Sequence, residues 1–241
     1  MKGKLYLIPS TLGADTAGKV IPAGTIEIVR TIKYFIVENV RTARRFLIRL
    51  GIKAPFDDIV FFTLNKYTSQ DEIPRFLDPL SEADVGIISE AGAPCVADPG
   101  SEIVRLAHMK NISIIPLVGP SSLLLALMAS GLNGQNFAFI GYLPIQKKER
   151  IMKIKQAEKR SFDEGQAQIF IETPYRNNQV FNDLINHCAP ETYLCIAVSL
   201  TMTDESVRTL TIGEWGKKQV DINKKPAVFI IQKIIRGPRK K

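Results

Sequence analysis

The sequence predicts an α/β fold made of two α/β domains, the first with a mostly parallel five-stranded sheet and the second with a mixed sheet. Three observations point there. Short apolar, β-rich runs alternate with amphipathic stretches through the first half, the pattern of βαβ units. A run of glycines and amides, Gly131-Leu132-Asn133-Gly134-Gln135-Asn136, interrupts the chain near its middle. In the second half two strand-like runs are joined only by the polar turn Thr203-Asp204-Glu205-Ser206, which predicts a hairpin and so an antiparallel pairing. A chain of 241 residues can bury one large core or two modest ones, and the break divides it into 1–133 and 134–241.

The first-half strands are read at Lys4 to Ile8, Phe35 to Glu38, Ile59 to Leu64, Val85 to Ser89 and Ile112 to Val118. Each is apolar and largely β-branched or aromatic, as a parallel strand covered on both faces must be. Between them, Arg41 to Leu50 places Phe46, Leu47 and Leu50 on one side, Ile73 to Leu80 repeats that spacing, and Ser101 to Met109 groups Ile103, Val104 and Leu106. An apolar helix, Ser121 to Ser130, closes the half. The second half reads as a strand at Phe137 to Tyr142, a basic helix at Lys147 to Glu164, a strand at Ala167 to Glu172 and a helix at Asn177 to His187. The hairpin Tyr193 to Val198 with Val207 to Ile212 follows, then a last strand at Ala227 to Gln232.

Composition narrows the function classes. An apolar fraction of 45% with 23% charged residues is ordinary for a folded domain and excludes a disordered chain. The net charge of +8 gathers at Arg41, Arg44, Arg45 and Arg49, along Lys147 to Arg160, and in the tail Lys233, Arg236, Arg239, Lys240 and Lys241. Such patches suit a phosphate-rich partner, and they also serve solubility alone. Three cysteines without a CxxC pair predict a reducing compartment. The most apolar run, Leu123 to Ala129, falls far short of the roughly 20 residues a membrane span needs. Met1-Lys2-Gly3-Lys4 leads into a strand, not into a signal peptide's apolar core, so a cytoplasmic protein without a membrane partner is expected.

Ligands of open parallel sheets bind beyond the carboxyl ends of the strands, so the loops there carry the candidate chemistry. The loop Ser89 to Gly100 holds two glycines, two prolines and three alanines, which lets backbone approach a ligand closely. Taken alone, it is equally a rigid connection between strand and helix. Ser121 and Ser122 after Gly119-Pro120 could touch a ligand or simply cap the next helix. No GxGxxG follows a strand and no GxxxxGK[ST] occurs, which removes the usual dinucleotide and triphosphate loops. His108 and His187 lie far apart, no Cys or His pair has ligand spacing, and no GxSxG elbow is present. A metal site and an α/β-hydrolase nucleophile are therefore not expected.

In order along the chain, these loops resemble the tetrapyrrole methylase superfamily, and within it the small-subunit rRNA methyltransferase I group, which methylates a cytidine ribose 2'-hydroxyl. The likeness rests on Leu5-Tyr6-Leu7-Ile8-Pro9, on Val37 to Arg44 against the group's AEDTRHTR, and on Ser89 to Gly100 against SDAGTPLISDPG. It continues through Val118-Gly119-Pro120-Ser121-Ser122, Ala129 to Leu132, Gly141-Tyr142-Leu143-Pro144, and Glu172-Thr173-Pro174-Tyr175-Arg176 against ESPHR. The resemblance implies a homodimer that holds S-adenosylmethionine in the cleft between two α/β domains, with small-subunit rRNA as partner. By similarity Pro9, Ser89, Glu90, Ala91, Gly92, Ala93, Pro94, Val96, Ser121 and Ser122 face the cofactor from the first domain. Glu172, Leu200, Thr201, Pro226 and Ala227 do so from the second.

Methyl transfer from a sulfonium asks mainly for alignment, and a ribose hydroxyl also needs a proton acceptor. Glu38 is the candidate base, with Arg41 and Arg44 positioning phosphate; an ordinary ion-paired helix start is the competing reading of the same residues. Asn39, Val40 and Thr42 stand where the group has Asp, Thr and His, Val198-Ser199-Leu200 stands for REL, and Pro9-Ser10-Thr11-Leu12-Gly13-Ala14 for TPIGNL. These departures leave methylation of a corrin or porphyrin carbon, or a silent RNA-binding protein that keeps the fold, as the alternatives.

Overall fold

The computed structural model describes residues 3–14, 16–53 and 55–234. The tail cations Arg236, Arg239, Lys240 and Lys241 lie outside the described residues, as do Met1 and Lys2. The chain divides into two compact units, Met1–Ser121 and Ser122–Lys241.

The first unit runs β1 (Leu5–Ile8), α1 (Ala17–Val20), α2 (Ala23–Val29), β2 (Tyr34–Val37), α3 (Val40–Arg49), β3 (Val60–Thr63), a 3-10 helix (Ile73–Ser81), β4 (Val85–Ile88), α4 (Gly100–Met109) and β5 (Ile114–Pro116). All five strands pair in parallel, in the order β3-β2-β4-β1-β5. Side chains alternate between two apolar layers, as the period of a strand requires. Ile8, Phe35, Val37 and Ile88 join Val29, Phe46 and Leu47 of α2 and α3 on one face. Leu5, Ile36, Val85 and Ile87 join Phe76, Leu77, Ile103 and Ala107 on the other.

This strand order creates a switch point. From β1 the chain crosses over β4 to reach β2, whereas from β4 it crosses over β1 to reach β5. Right-handed crossovers that leave neighbouring strands in opposite directions lie on opposite faces. The loops after β1 and β4 therefore part and leave a crevice at their carboxyl ends, where open α/β sheets bind ligands.

The strand runs expected in this half are all present. Ile112 to Val118 is trimmed to three residues because Pro116 has no N–H to give a ladder, which only the edge position of β5 tolerates. The periodicity at Ile73 to Leu80 is helical but 3-10, with Pro74 in its first turn and Pro79 inside it.

The second unit runs α5 (Ser122–Ser130), β6 (Phe137–Tyr142), α6 (Lys147–Asp163), β7 (Ala167–Ile171), α7 (Asn177–His187), β8 (Tyr193–Val198), β9 (Ser206–Thr211), α8 (Ile212–Trp215) and β10 (Ala227–Gln232). Its sheet is mixed, in the order β6-β7-β10-β8-β9: β6 and β7 are parallel and the remaining pairs antiparallel. The expected hairpin is β8–β9. Phe170, Ile196 and Phe229 pack with Ile154, Leu184 and Trp215 in one core, where Phe170 and Phe229 stack at 5.5 Å. The Trp215 indole donates to the Leu194 carbonyl at 2.8 Å.

α5 belongs to this unit. It packs on β8, β9 and β10, and Thr209 donates its hydroxyl to the Ser130 carbonyl at 2.7 Å. The sequence reading placed this helix in the first domain and cut after Asn133, whereas the contacts divide after Ser121. The glycine-amide run is a tight turn inside the second unit. The Asn133 carbonyl oxygen of the side chain accepts from the amides of Gln135 and Asn136, and its own amide receives Gln232 Oε1 at 2.8 Å. Arg150 is fully buried, paired with Asp183 at 2.7 Å and donating to the carbonyls of Pro144 and Ile145. Among the described residues no helix is long and apolar enough to cross a membrane, and no cluster of three or more His, Cys, Asp or Glu could hold a metal ion.

Candidate active site

The crevice of the first unit is lined by loops whose conformation small residues permit. Gly92 has φ +74, a left-handed backbone that a side chain disfavours. Its carbonyl accepts from the Ser10 amide at 2.9 Å and from the Ser89 hydroxyl at 2.6 Å, which ties the loop after β4 to the loop after β1. A Cβ on Gly92 would lie 3.0 Å from Leu12 Cδ2 and 3.4 Å from the Pro120 carbonyl oxygen. Three strand-end loops thus meet at one glycine. Gly119 is closed in from its other side, since a Cβ there would overlap the Pro9 ring.

The rest of the loop is stapled by Asp98. Its carboxylate accepts from the Cys95 amide at 2.8 Å and from the Gly100 amide at 2.8 Å, holding Cys95 and Ala97 at φ +66 and +64. Two non-glycine residues in left-handed geometry cost about 1–2 kcal/mol each, and such strain gathers where function requires a shape. Burial keeps the Asp98 pKa above its usual value although both amides pull it down. Burial and the neighbouring Asp98 push the Cys95 thiol up to about 12, so Cys95 is not a nucleophile.

Pro9 and Pro94 are buried, Ser89 is 7% exposed, and Ala93 is partly covered, while Glu90, Ala91 and Val96 are exposed. All of these lie in the loops after β1 and β4. Ser121 is the last residue of the first unit and Ser122 opens α5 in the second. Small and buried groups form the platform, and exposed ones rim it.

Glu38, at the end of β2, is half-buried, and its pKa is raised by burial first, then by the charges of Asp98 and Glu90; the Glu90 backbone amide partly offsets this. Glu38 and Asp98 line a small hollow with Leu64 and Pro99. Glu90 lines a larger cavity of about 220 Å³, bounded by the Ser10 to Gly13 loop and by Thr42, Arg45 and Arg49 of α3. The three carboxylates are one electrostatic cluster spread over two hollows.

The two candidate arginines part company. Arg44 lies over the rings of Phe56 and Phe61, at 5.8 and 5.4 Å from their centroids, a cation–π arrangement that turns it toward β3. Arg41 is exposed and begins a stripe, Arg41, Arg45 and Arg49, at successive turns of α3. Sequence reasoning left out Arg45 and Arg49 as site residues; the i, i+4 spacing was the signal available. Like charges so spaced destabilise a helix by about 0.2–0.5 kcal/mol per pair, a cost that an anion in the cavity relieves.

The departures at the start of α3 have local explanations. Asn39 caps the helix, accepting from the amides of Arg41 and Thr42 at 2.9 and 3.4 Å, so the amide does an aspartate's capping work without its charge. Thr42 reaches the Asn39 carbonyl at 2.9 Å and Glu90 Oε1 at 2.5 Å; its one hydroxyl proton serves one of them at a time.

In the second unit the remaining candidates also lie at strand ends. The Ser199 amide donates to the Pro226 carbonyl at 2.9 Å, which joins the segment Ser199-Leu200-Thr201 after β8 to Pro226-Ala227 at the start of β10. Ser199 and Thr201 have φ +51 and +69. Glu172, after β7, is buried, with Oε1 accepting the Thr173 amide and Oε2 at 3.1 Å from Arg176 Nη2 without hydrogen-bond geometry. Thr201 Oγ1 is buried with no hydrogen-bond partner. An orphaned hydroxyl on strained backbone is the mark of a group kept for a ligand.

Residues 27–216 match the family described as Tetrapyrrole (Corrin/Porphyrin) Methylases. The chain is 28% identical to the Ribosomal RNA small subunit methyltransferase I of Escherichia coli O157:H7, over 96% of this chain and 78% of that one. It is 31% identical to the protein of the same name from Halalkalibacterium halodurans, over 90% of this chain and 72% of the relative. Among solved structures the methyltransferase CobJ superposes with a TM-score of 0.63 at 15% identity, covering 95% of this chain and 94% of CobJ. The cobalt precorrin-4 methyltransferase CbiF does so at 0.58 and 15%, covering 95% and 94%. At those identities the superpositions speak for the fold. Joined to the sequence match, which spans most of the chain, they lead to one assignment: the chain belongs to the tetrapyrrole (corrin/porphyrin) methylase family.

Proposed function

We propose that this protein is an S-adenosylmethionine-dependent methyltransferase that methylates a ribose 2'-hydroxyl of small-subunit rRNA. The observation that carries the reading is the full-length similarity to relatives named Ribosomal RNA small subunit methyltransferase I. The all-basic α3, with four arginines and no acidic residue, supports an anionic acceptor.

The residues present fit the cofactor. The packed Gly92 leaves backbone where a side chain would stand, and the buried Thr201 hydroxyl waits for a partner. S-adenosylmethionine, when bound, supplies a methyl group on a cationic sulfur that an oxygen nucleophile displaces in line. Ser89, Gly92 and Pro94 form a platform fixed by hydrogen bonds and tight packing, which saves the cost of ordering it on binding. Ala91 and Ala93 keep side chains short around it. Glu38 takes the proton from the acceptor oxygen; its raised pKa brings it toward the range where a base both stays ionised and binds a proton well. A cytoplasmic homodimer completes the proposal; exposed Leu124 and Met128 on α5 favour self-association.

Purified protein incubated with methyl-labelled S-adenosylmethionine and small ribosomal subunits lacking the modification should transfer label to rRNA. A tetrapyrrole panel run in parallel should stay unlabelled. Label in a macrocycle instead would replace rRNA with the corrin or porphyrin acceptor, and cofactor binding without transfer to any acceptor would leave a silent RNA-binding protein.

A further inference from the structure

We infer that the cavity between the Ser10 to Gly13 loop and α3 seats a backbone phosphate of the acceptor RNA, with Arg45 and Arg49 as its cations. The inference rests on the rRNA reading above and gives that reading a docking point. The cavity is bounded by both guanidinium-bearing residues, by Thr42, and by the buried hydroxyl-bearing Ser10 and Thr11. Phe46 and Ile88 close its apolar side. Arg45 and Arg49 stand one helical turn apart on the same stripe, so two planar forks converge on one volume, and each can bind two oxygens of a tetrahedral anion.

The cavity is a better phosphate site than the Arg44 side of the helix. Arg44 is held over two aromatic rings and is not among the residues that bound the cavity. Glu90 bounds it as well, and would repel a bare anion. For a ribose-phosphate the same carboxylate is an asset, because sugar hydroxyls donate to it while the phosphate meets the arginines. Glu90 also perturbs Glu38, so a nucleotide whose phosphate sits here carries its hydroxyls toward the carboxylate cluster. Free phosphate gains none of this, and the proposed ligand is the RNA backbone.

The test is binding of naked small-subunit rRNA across a salt series by the full chain. Arg45→Gln and Arg49→Gln should each weaken binding and lower the slope of log affinity against log salt by about 1, and the double variant by about 2. Calorimetry should find S-adenosylmethionine affinity unchanged, and KM for small subunits should rise while kcat is largely kept. Arg45→Lys should retain the slope but lose part of the affinity, since it keeps the charge and not the fork. Arg105→Gln on α4, whose helix packs on the opposite face of the sheet, should match the wild type. A wild-type slope in the double variant overturns the inference, as does loss of cofactor affinity in place of RNA affinity. Failure of the rRNA reading shows separately, as wild-type protein that transfers no methyl to subunits.

Discussion

Gly92→Ala tests the platform directly, because the structure supplies a matched control. Gly92 and Gly131 both adopt left-handed backbone, at φ +74 and +69. A Cβ on Gly131 meets nothing within 4 Å, whereas one on Gly92 meets Leu12 Cδ2 at 3.0 Å and the Pro120 carbonyl oxygen at 3.4 Å. Both substitutions carry the conformational cost of about 1–2 kcal/mol. Only Gly92→Ala adds crowding, and the tighter neighbour is the end of a flexible leucine, so Leu12 yields by a few tenths of an ångström. The stability losses in urea should therefore be similar, about 1–2 kcal/mol for each. Cofactor binding should separate them. Displacing Leu12 and the carbonyl that fixes Ser10 and Ser89 should weaken S-adenosylmethionine by at least tenfold in calorimetry, about 1.4 kcal/mol, with Gly131→Ala at wild-type affinity. Equal affinities in the two variants would refute the claim that the loop after β4 is the cofactor platform.

Thr201→Val removes a buried hydroxyl that has no partner, so the urea midpoint should hold or rise slightly, while cofactor affinity should fall about tenfold; an unchanged affinity removes Thr201 from the site. Glu38→Gln should abolish the dependence of methyl transfer on a carboxylate that ionises above its ordinary range, and it should also stabilise the protein at pH 7. The sign follows from the raised folded pKa: the native state holds the proton more tightly than the unfolded chain, so the Glu38 contribution is favourable below the unfolded pKa and is lost as pH rises through the folded one. The gain from Glu38→Gln should vanish in acid titrations below the ordinary glutamate pKa. Arg150→Met strands the Asp183 carboxylate and two carbonyls, and should cost about 3–5 kcal/mol in urea unfolding, whereas Arg150→Met with Asp183→Leu should recover most of it. Equal losses in the single and double variants would mean that packing, not the stranded charge, sets the cost.

The parallel strands of the first unit were legible because strands covered on both faces must be apolar throughout. β10 was legible for the same reason, with every residue buried. The helices α1 and α2 were not, since Gly18, Pro22 and Gly24 break the periodicity over short lengths. α8 is a four-residue turn whose signal is its capping box, Thr211 with Glu214. In the site, the glycine- and proline-rich loop was readable as small residues in a run. The company of Glu38 was not, because Asp98 and Glu90 come to it from another strand. Nor was the capture of Arg44, which depends on where Phe56 and Phe61 fall across the sheet. Sequence order gave Arg41 and Arg44 equal standing; helical geometry separates them by their direction from the axis.

The parting of the chain at β1 and β4 also bears on how such a protein changes its target. The platform is built from the ends of β1, β4 and β5, while the arginine stripe sits on α3, a helix fed by β2 and packed through Phe46 and Leu47. Donor recognition and acceptor recognition are therefore carried on separable parts. Mutations along the outer surface of α3 leave the glycine at the meeting of the three loops untouched, so one lineage can drift among acceptors as unlike as a macrocycle and a folded RNA while inheriting its methyl source unchanged. An exchange of the exposed α3 positions is the shortest route to a retargeted enzyme.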